Sequence, residues 1–302
     1  MSGLNIFVKR NVKLFFKDKG LFFTSLITPV ILLVLYATFL SKVFKSTFIS
    51  AVPKEMRDKI GDRLLNAFVG GQLMSSLLSV SCVTVAFCSN MVMAGDKMTN
   101  VIKDINVTPV NKSKIAIGYY LGALINTLLV CYFALVLCLV YCAIIGWYFS
   151  FLDIIMLIID VFLLTLFGTA LSSIVNCFLS TQGQISAVGT IVSSFYGFIS
   201  GAYMPVSQFG KGLANLIACL PGTYGTSLMR EHSLRGIFAE MEKIGFSKQA
   251  VDGMRNTVDC NIYFFSHKVP QAGSWGILIA SIIVFMGIYI LINYLRKNKK
   301  LK

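Results

Sequence analysis

Apolar runs of membrane-crossing length recur along this chain, at roughly 21–41, 67–93, 116–143, 154–179, 185–203 and 273–295. A helix needs about 20 predominantly apolar residues to cross the hydrocarbon of a bilayer, and there its backbone must satisfy its own hydrogen bonds. The runs therefore predict an all-α integral membrane fold with six transmembrane helices, a single transmembrane domain over residues 1–302. The charge content agrees. Only 13% of residues are charged, where a soluble domain carries about a quarter, so lipid must cover surface that charges would otherwise hydrate.

Orientation follows from where Lys and Arg fall. Residues 1–20, 94–114, 180–184 and 296–302 hold 14 basic and 3 acidic residues in 53 positions; residues 42–65, 144–153 and 204–272 hold 13 and 9 in 103. The first set is the denser in positive charge, which predicts that it is cytoplasmic and that both termini lie inside. Residues 204–272 then form an extracellular segment, capping the outer mouth of the bundle with residues 42–65. In 204–272, Leu234, Ile237, Phe238, Met241 and Ile244 make an amphipathic stripe. At the start, Leu4, Phe7, Val8, Val12 and Phe15 recur at helical spacing opposite Lys9, Arg10, Lys13 and Lys17. That pattern predicts a helix over 1–20 lying in the membrane interface. It runs into a segment too long for the apolar core of a secretory signal, and none is read there.

The net charge of +14 raises nucleic acid as a partner. The basic residues flank apolar runs instead of interleaving with exposed aromatics, so the partner is the bilayer and nucleic acid is excluded. Seven of the eight cysteines sit in apolar sequence, where a thiol behaves as a small hydrophobe; Cys260 alone stands in a polar segment. No phosphate-binding loop and no metal-ligand pattern occurs, and His232 and His267 are the only histidines. Nothing here predicts an enzyme, a metal or a cofactor. The fifth run, "ISAVGTIVSSFYGFISGAY", is rich in small residues and is expected to pack closely among its neighbours. Asp160, about two turns inside the fourth run, is an intramembrane candidate, because a carboxylate at mid-membrane costs roughly 2.5–3.5 kcal/mol on insertion scales.

Between the second and third runs lies a polar island, residues 94–114, beginning "AGDKMTNVIKDINVTPVNKSK". It opens on Asp96-Lys97, carries Ile102, Lys103, Asp104 and Ile105, and ends on Thr108-Pro109-Val110. After the fifth run, Gly201, Pro205, Pro221, Tyr224 and Arg230 punctuate "SGAYMPVSQFGKGLANLIACLPGTYGTSLMRE". In this order and on this topology the motifs resemble the ABC-2-type permease family. The chain departs from the family's pattern at Asn100 and Val101, where Gly-Thr is common, and at Lys103, where an acid is frequent.

The resemblance implies the permease subunit of an ATP-binding cassette exporter of a drug, peptide or lipid-linked substrate. It implies a multi-pass protein of the cell membrane, of bacterial plasma-membrane type. Its partners would be a cytoplasmic ATPase subunit, which binds the ATP, and a second permease chain. On this reading the island is the coupling element, offering Asp96, Lys97, Lys103 and Asp104 at a polar dock and Ile102 and Ile105 to an apolar groove, with Thr108 and Pro109 ending it. The alternative is a non-transporting scaffold or sensor subunit of the membrane.

Overall fold

The computed structural model describes residues 3–35, 38, 41–51, 60–108, 110–265 and 267–298. Among these the architecture is helical, apart from a two-stranded antiparallel hairpin of β1 (Tyr263–Phe264) and β2 (His267–Lys268). Helix α4 (Asp62–Ser89) is the axis, and every residue from Ala67 to Asn90 is buried. Around it pack α2 (Lys19–Leu35), α7 (Lys112–Ile145), α8 (Phe151–Phe178), α9 (Gln182–Ile199) and α11 (Pro221–Lys243), while α13 (Gln271–Asn298) closes on α7, α8 and α11.

A helix buried on all sides in lipid needs small residues, because close packing replaces the hydrophobic drive available in water. Helix α4 supplies Gly70, Gly71, Ser75, Ser76, Ser79 and Ser81. A Cβ at Gly71 would sit 2.9 Å from the Ser233 carbonyl oxygen of α11, so that crossing requires glycine. Two of the serine hydroxyls are satisfied within the helix: Ser79 donates to the Ser75 carbonyl at 2.7 Å and Ser75 to that of Gln72 at 2.9 Å.

Four stretches are long and apolar enough to cross a membrane: Asp62–Met98, Ser113–Ile145, Phe151–Phe178 and Gln271–Leu295. They fall on the second, third, fourth and sixth predicted runs. Helices α2 and α9 occupy the first and fifth, but at 17 and 18 residues they are shorter. Exposed side chains form the belt that such a bundle turns to lipid, including Phe133, Val136 and Val140 on α7, Phe151, Ile158 and Phe162 on α8, and Ile283 and Leu291 on α13.

Packing corrects one expectation and adds to two others. The small-residue helix α9 is not enclosed; Ser186, Ala187, Thr190, Ile191, Ser194, Phe195 and Phe198 are exposed, and among the described residues its main helix contacts are with α4 and α5 (Met91–Met98). Residues 204–272 do more than cap the bundle. Leu234, Ile237, Phe238 and Met241 of α11 are fully buried and join the main core with α4 and α8, so the predicted stripe is an internal packing face. Helix α1 (Gly3–Lys17) lays much of its apolar face on α7. There Gly118 and Gly122 leave notches for Phe7 and Asn11, and a Cβ at Gly122 would meet the Asn11 Cβ at 2.8 Å.

Candidate functional site

The island is built from a broken helix. After Ser89 the chain turns at Asn90, whose side chain is held between Ser172 (2.5 Å) and Ser173 (3.3 Å) of α8. Helix α5 follows, and Asn100 then adopts a left-handed conformation (φ 59°) before α6 (Val101–Val107) begins. That conformation accounts for the departure noted at this position. Glycine is the cheapest residue there, and asparagine is among the few others that visit it routinely. Thr108 is extended (φ −66°, ψ 149°), the conformation proline imposes on the residue before it. Pro109 itself lies outside the described residues.

Asp96 and Lys97, predicted as polar docking groups, are spent inside the chain. The Asp96 carboxylate is buried and accepts from Arg10 at 2.5 and 2.8 Å and from the Tyr119 hydroxyl at 2.6 Å. Bonding to Asp96 raises the pKa of Arg10 further above its ordinary value, so the guanidinium stays charged. Lys97 Nζ donates to the carbonyls of Asn176 (2.5 Å), Cys177 (3.2 Å) and Leu179 (3.4 Å) at the end of α8. A cation at a helix C-terminus meets the negative end of its dipole and its unpaired carbonyls. The two residues tie α5 to α1, α7 and α8.

Ile102 and Ile105 also face inward, packing against Met93, Ile115, Tyr119 and Phe7. The outward groups of α6 are Lys103, Asp104, Val107 and Thr108. Val107 is 86% exposed. Beside it, between α1 and α6, lies a largely apolar cleft of about 250 Å³, whose walls include Leu4, Phe7, Ile105 and Val110, with Arg10 and Lys114 as its cations. The sequence reading missed Val107. Its only local signal was its position as the last apolar residue before Thr-Pro.

Asp160 is buried in α8 and meets His232 of α11, Nδ1 to Oδ2 at 2.5 Å. The far ring nitrogen lies 2.7 Å from the Gln271 amide nitrogen at the start of α13. An amide donating to Nε2 leaves the Nδ1–H to donate to Asp160. The second Asp160 oxygen is buried and has no hydrogen-bond partner among the described residues. Nearer the start of α8, Asp153 closes a capping box with Ser150 and pairs with Arg235 at 2.7 Å. No local pattern could have joined Asp160 to His232 across 72 positions.

The punctuation after the fifth run converges on Arg230. Its guanidinium is 1% exposed and donates to the carbonyls of Gly201 (2.7 Å) and Val258 (3.0 Å), with Asp259 at 3.5 Å. Burial raises the Asp259 carboxyl above its usual range, opposed by Arg230 and the Val206 and Ser207 amides. The Tyr224 hydroxyl donates to the Ala218 carbonyl at 2.7 Å.

A family model described as ABC-2 type transporter matches residues 3–232, from α1 through the island to the Arg230 knot. The chain belongs to the ABC-2 type transporter family. Comparison with curated proteins gives no match. The membership makes it a multi-pass membrane protein and a transporter component of the permease type, in a family whose ATPase lies in a separate subunit. Within the ABC-2 region the two motifs have different parts. The island is the stretch of chain that joins α4 to α7, which also pack side by side, and it reaches the surface at the α6 tip; the second motif ties α11 to the loop after α9.

Proposed function

We propose that this chain is the permease subunit of an ATP-binding cassette exporter, driven by a cytoplasmic ATPase subunit that binds the ATP and docks on the α6 tip. The observation that carries this reading is the mounting of α6. Its base is fixed by the Asp96 and Lys97 bonds and by Ile102 and Ile105, while Val107 and Thr108 stand clear. A load applied at the tip is passed to α4, α7 and α8, because a short helix packed on its base moves as a rigid body. Val107 is then the apolar anchor of the dock, and Lys103 and Asp104 are its rim charges.

The positive-charge distribution supports a cytoplasmic α6 pole and cytoplasmic termini, and an exporter of this kind would sit in the plasma membrane. Residues 204–272 then lie toward the outside. The exposed faces of α2 and α9 suit a second permease chain, since small residues on α9 permit close approach in lipid. The exported substrate would be a drug, a peptide or a lipid-linked molecule.

The test is co-purification of a P-loop ATPase with the chain, followed by its ATP hydrolysis in proteoliposomes. Val107→Asp puts a charge where the dock is apolar and should lower co-purified ATPase about tenfold or more, as loss of a central interface anchor does. Lys103→Glu should weaken it less, because rim charges act mainly on association rate and orientation. ATPase retained at the wild-type level by Val107→Asp would remove α6 as the dock. Turnover that never responds to the permease would favour a scaffold or sensor subunit.

A further inference from the structure

A cavity of about 480 Å³ opens in the segment after α9, between the loop ahead of α10 (Lys211–Ala218), the end of α12 (Lys248–Thr257) and strand β1. Small-molecule sites fall in the range of about 300–1,000 Å³. Its polar lining is dominated by three asparagines. Asn256 Oδ1 accepts from Asn261 (2.7 Å) and from the Tyr263 hydroxyl (3.2 Å), which leaves the Asn256 amide N–H groups and the Asn261 side-chain carbonyl unused among the described residues. The Asn215 side chain makes no hydrogen bond within the described residues. Phe209 and Tyr263 supply aromatic lining.

Formal charge is cancelled there. Asp259 is the only ionisable carboxylate among the described lining residues, and it accepts from the Val206 and Ser207 amides and pairs with Arg230. No lysine or arginine is among those residues, so an anionic ligand would find no counter-charge. The wall Cys260–Phe264 is bracketed by two non-glycine residues with positive φ, Asp259 (55°) and Phe265 (44°). For a phenylalanine that conformation is costly, and such backbone persists where the surroundings hold it in place.

We infer that this cavity binds a neutral saccharide. Planar amides present a donor and an acceptor side by side, which matches vicinal hydroxyls. An aromatic face covers the C–H face of a pyranose ring. A peptide strand is the poorer fit, because β1 pairs with β2 on one side and packs against α10 on the other, leaving little edge to extend. The inference does not depend on docking of an ATPase, and it assigns a binding site without making the saccharide the exported molecule.

The experiment is saturation-transfer NMR on the full chain in nanodiscs, with maltotriose and N,N′,N″-triacetylchitotriose as probes and N-acetyl-trialanine amide as the peptide control. Transfer to the pyranose C–H protons of at least one trisaccharide, and none to the peptide, is expected. Asn215→Ala removes no internal bond and should weaken binding about three- to tenfold. Tyr263→Ala should lower it further, whereas Tyr263→Phe keeps the ring and most of the binding. Absence of transfer to both sugars would overturn the inference, as would transfer that survives both alanine substitutions or that favours the peptide.

Discussion

Asp160 gives one oxygen to His232 and leaves the other without a hydrogen bond among the described residues, in the middle of a helix-packed core. Removing one member of a buried polar pair costs far more than removing both, because the survivor keeps its desolvation penalty. His232→Ala should therefore destabilise the chain by about 3–5 kcal/mol if Asp160 stays ionised. The double variant Asp160→Leu/His232→Leu should recover most of that in a thermal unfolding assay in detergent. If the double variant also restores ATP turnover, the pair is a joint between α8 and α11; if it folds but stays inactive, Asp160 acts in transport itself. Sequence alone could mark Asp160, since an acid inside an apolar run stands out, but not its partner. The same limit applied at Asp96. Its charge was legible and its destination was not, because Arg10 and Tyr119 lie 86 and 23 positions away. Asn100 was legible only as a departure from a family pattern, and became intelligible once its φ was known.

At the scale of elements, periodicity located the helices because lipid imposes one solution on the backbone. It could not assign faces. An apolar stripe looks the same whether it meets lipid, as on α13, or another helix, as on α1 and α11. The glycine notch decides for α1. Gly122→Val has no room unless α1 moves away from α7, and the Arg10–Asp96 pair should weaken with it. Cysteine cross-linking between positions 7 and 118 (Phe7→Cys, Gly118→Cys), where α1 lies closest on α7, should be efficient in the parent and fall at least several-fold in Gly122→Val, the loss of close packing that overpacking produces. Unchanged cross-linking would show that α1 rests on the bundle without depending on the notch. Helix α9 shows the reverse case: its small residues were legible, but Gly183, Ser186, Ala187, Thr190 and Ser194 face outward in the single chain.

For the whole molecule, orientation is the property on which the rest depends, and the cysteines offer a direct readout. Cys260 is buried and its thiol is raised well above its usual range by that burial, so it should resist alkylation at neutral pH. Cys219 is exposed. A membrane-impermeant maleimide applied to intact cells should label Cys219 and spare a cysteine placed at Lys103; the opposite pattern would turn the bundle over and put α6 outside.

The claim that the α6 tip receives an ATPase is tested most directly by proximity. In a Cys219→Ser background, Val107→Cys carrying a benzophenone maleimide should, on illumination of native membranes, form an adduct with a protein that contains a P-loop, identified by mass spectrometry. The adduct should be absent when the probe sits at Phe133→Cys on the exposed face of α7. Adducts at Val107 formed only with lipid or with a second copy of this chain would contradict the account.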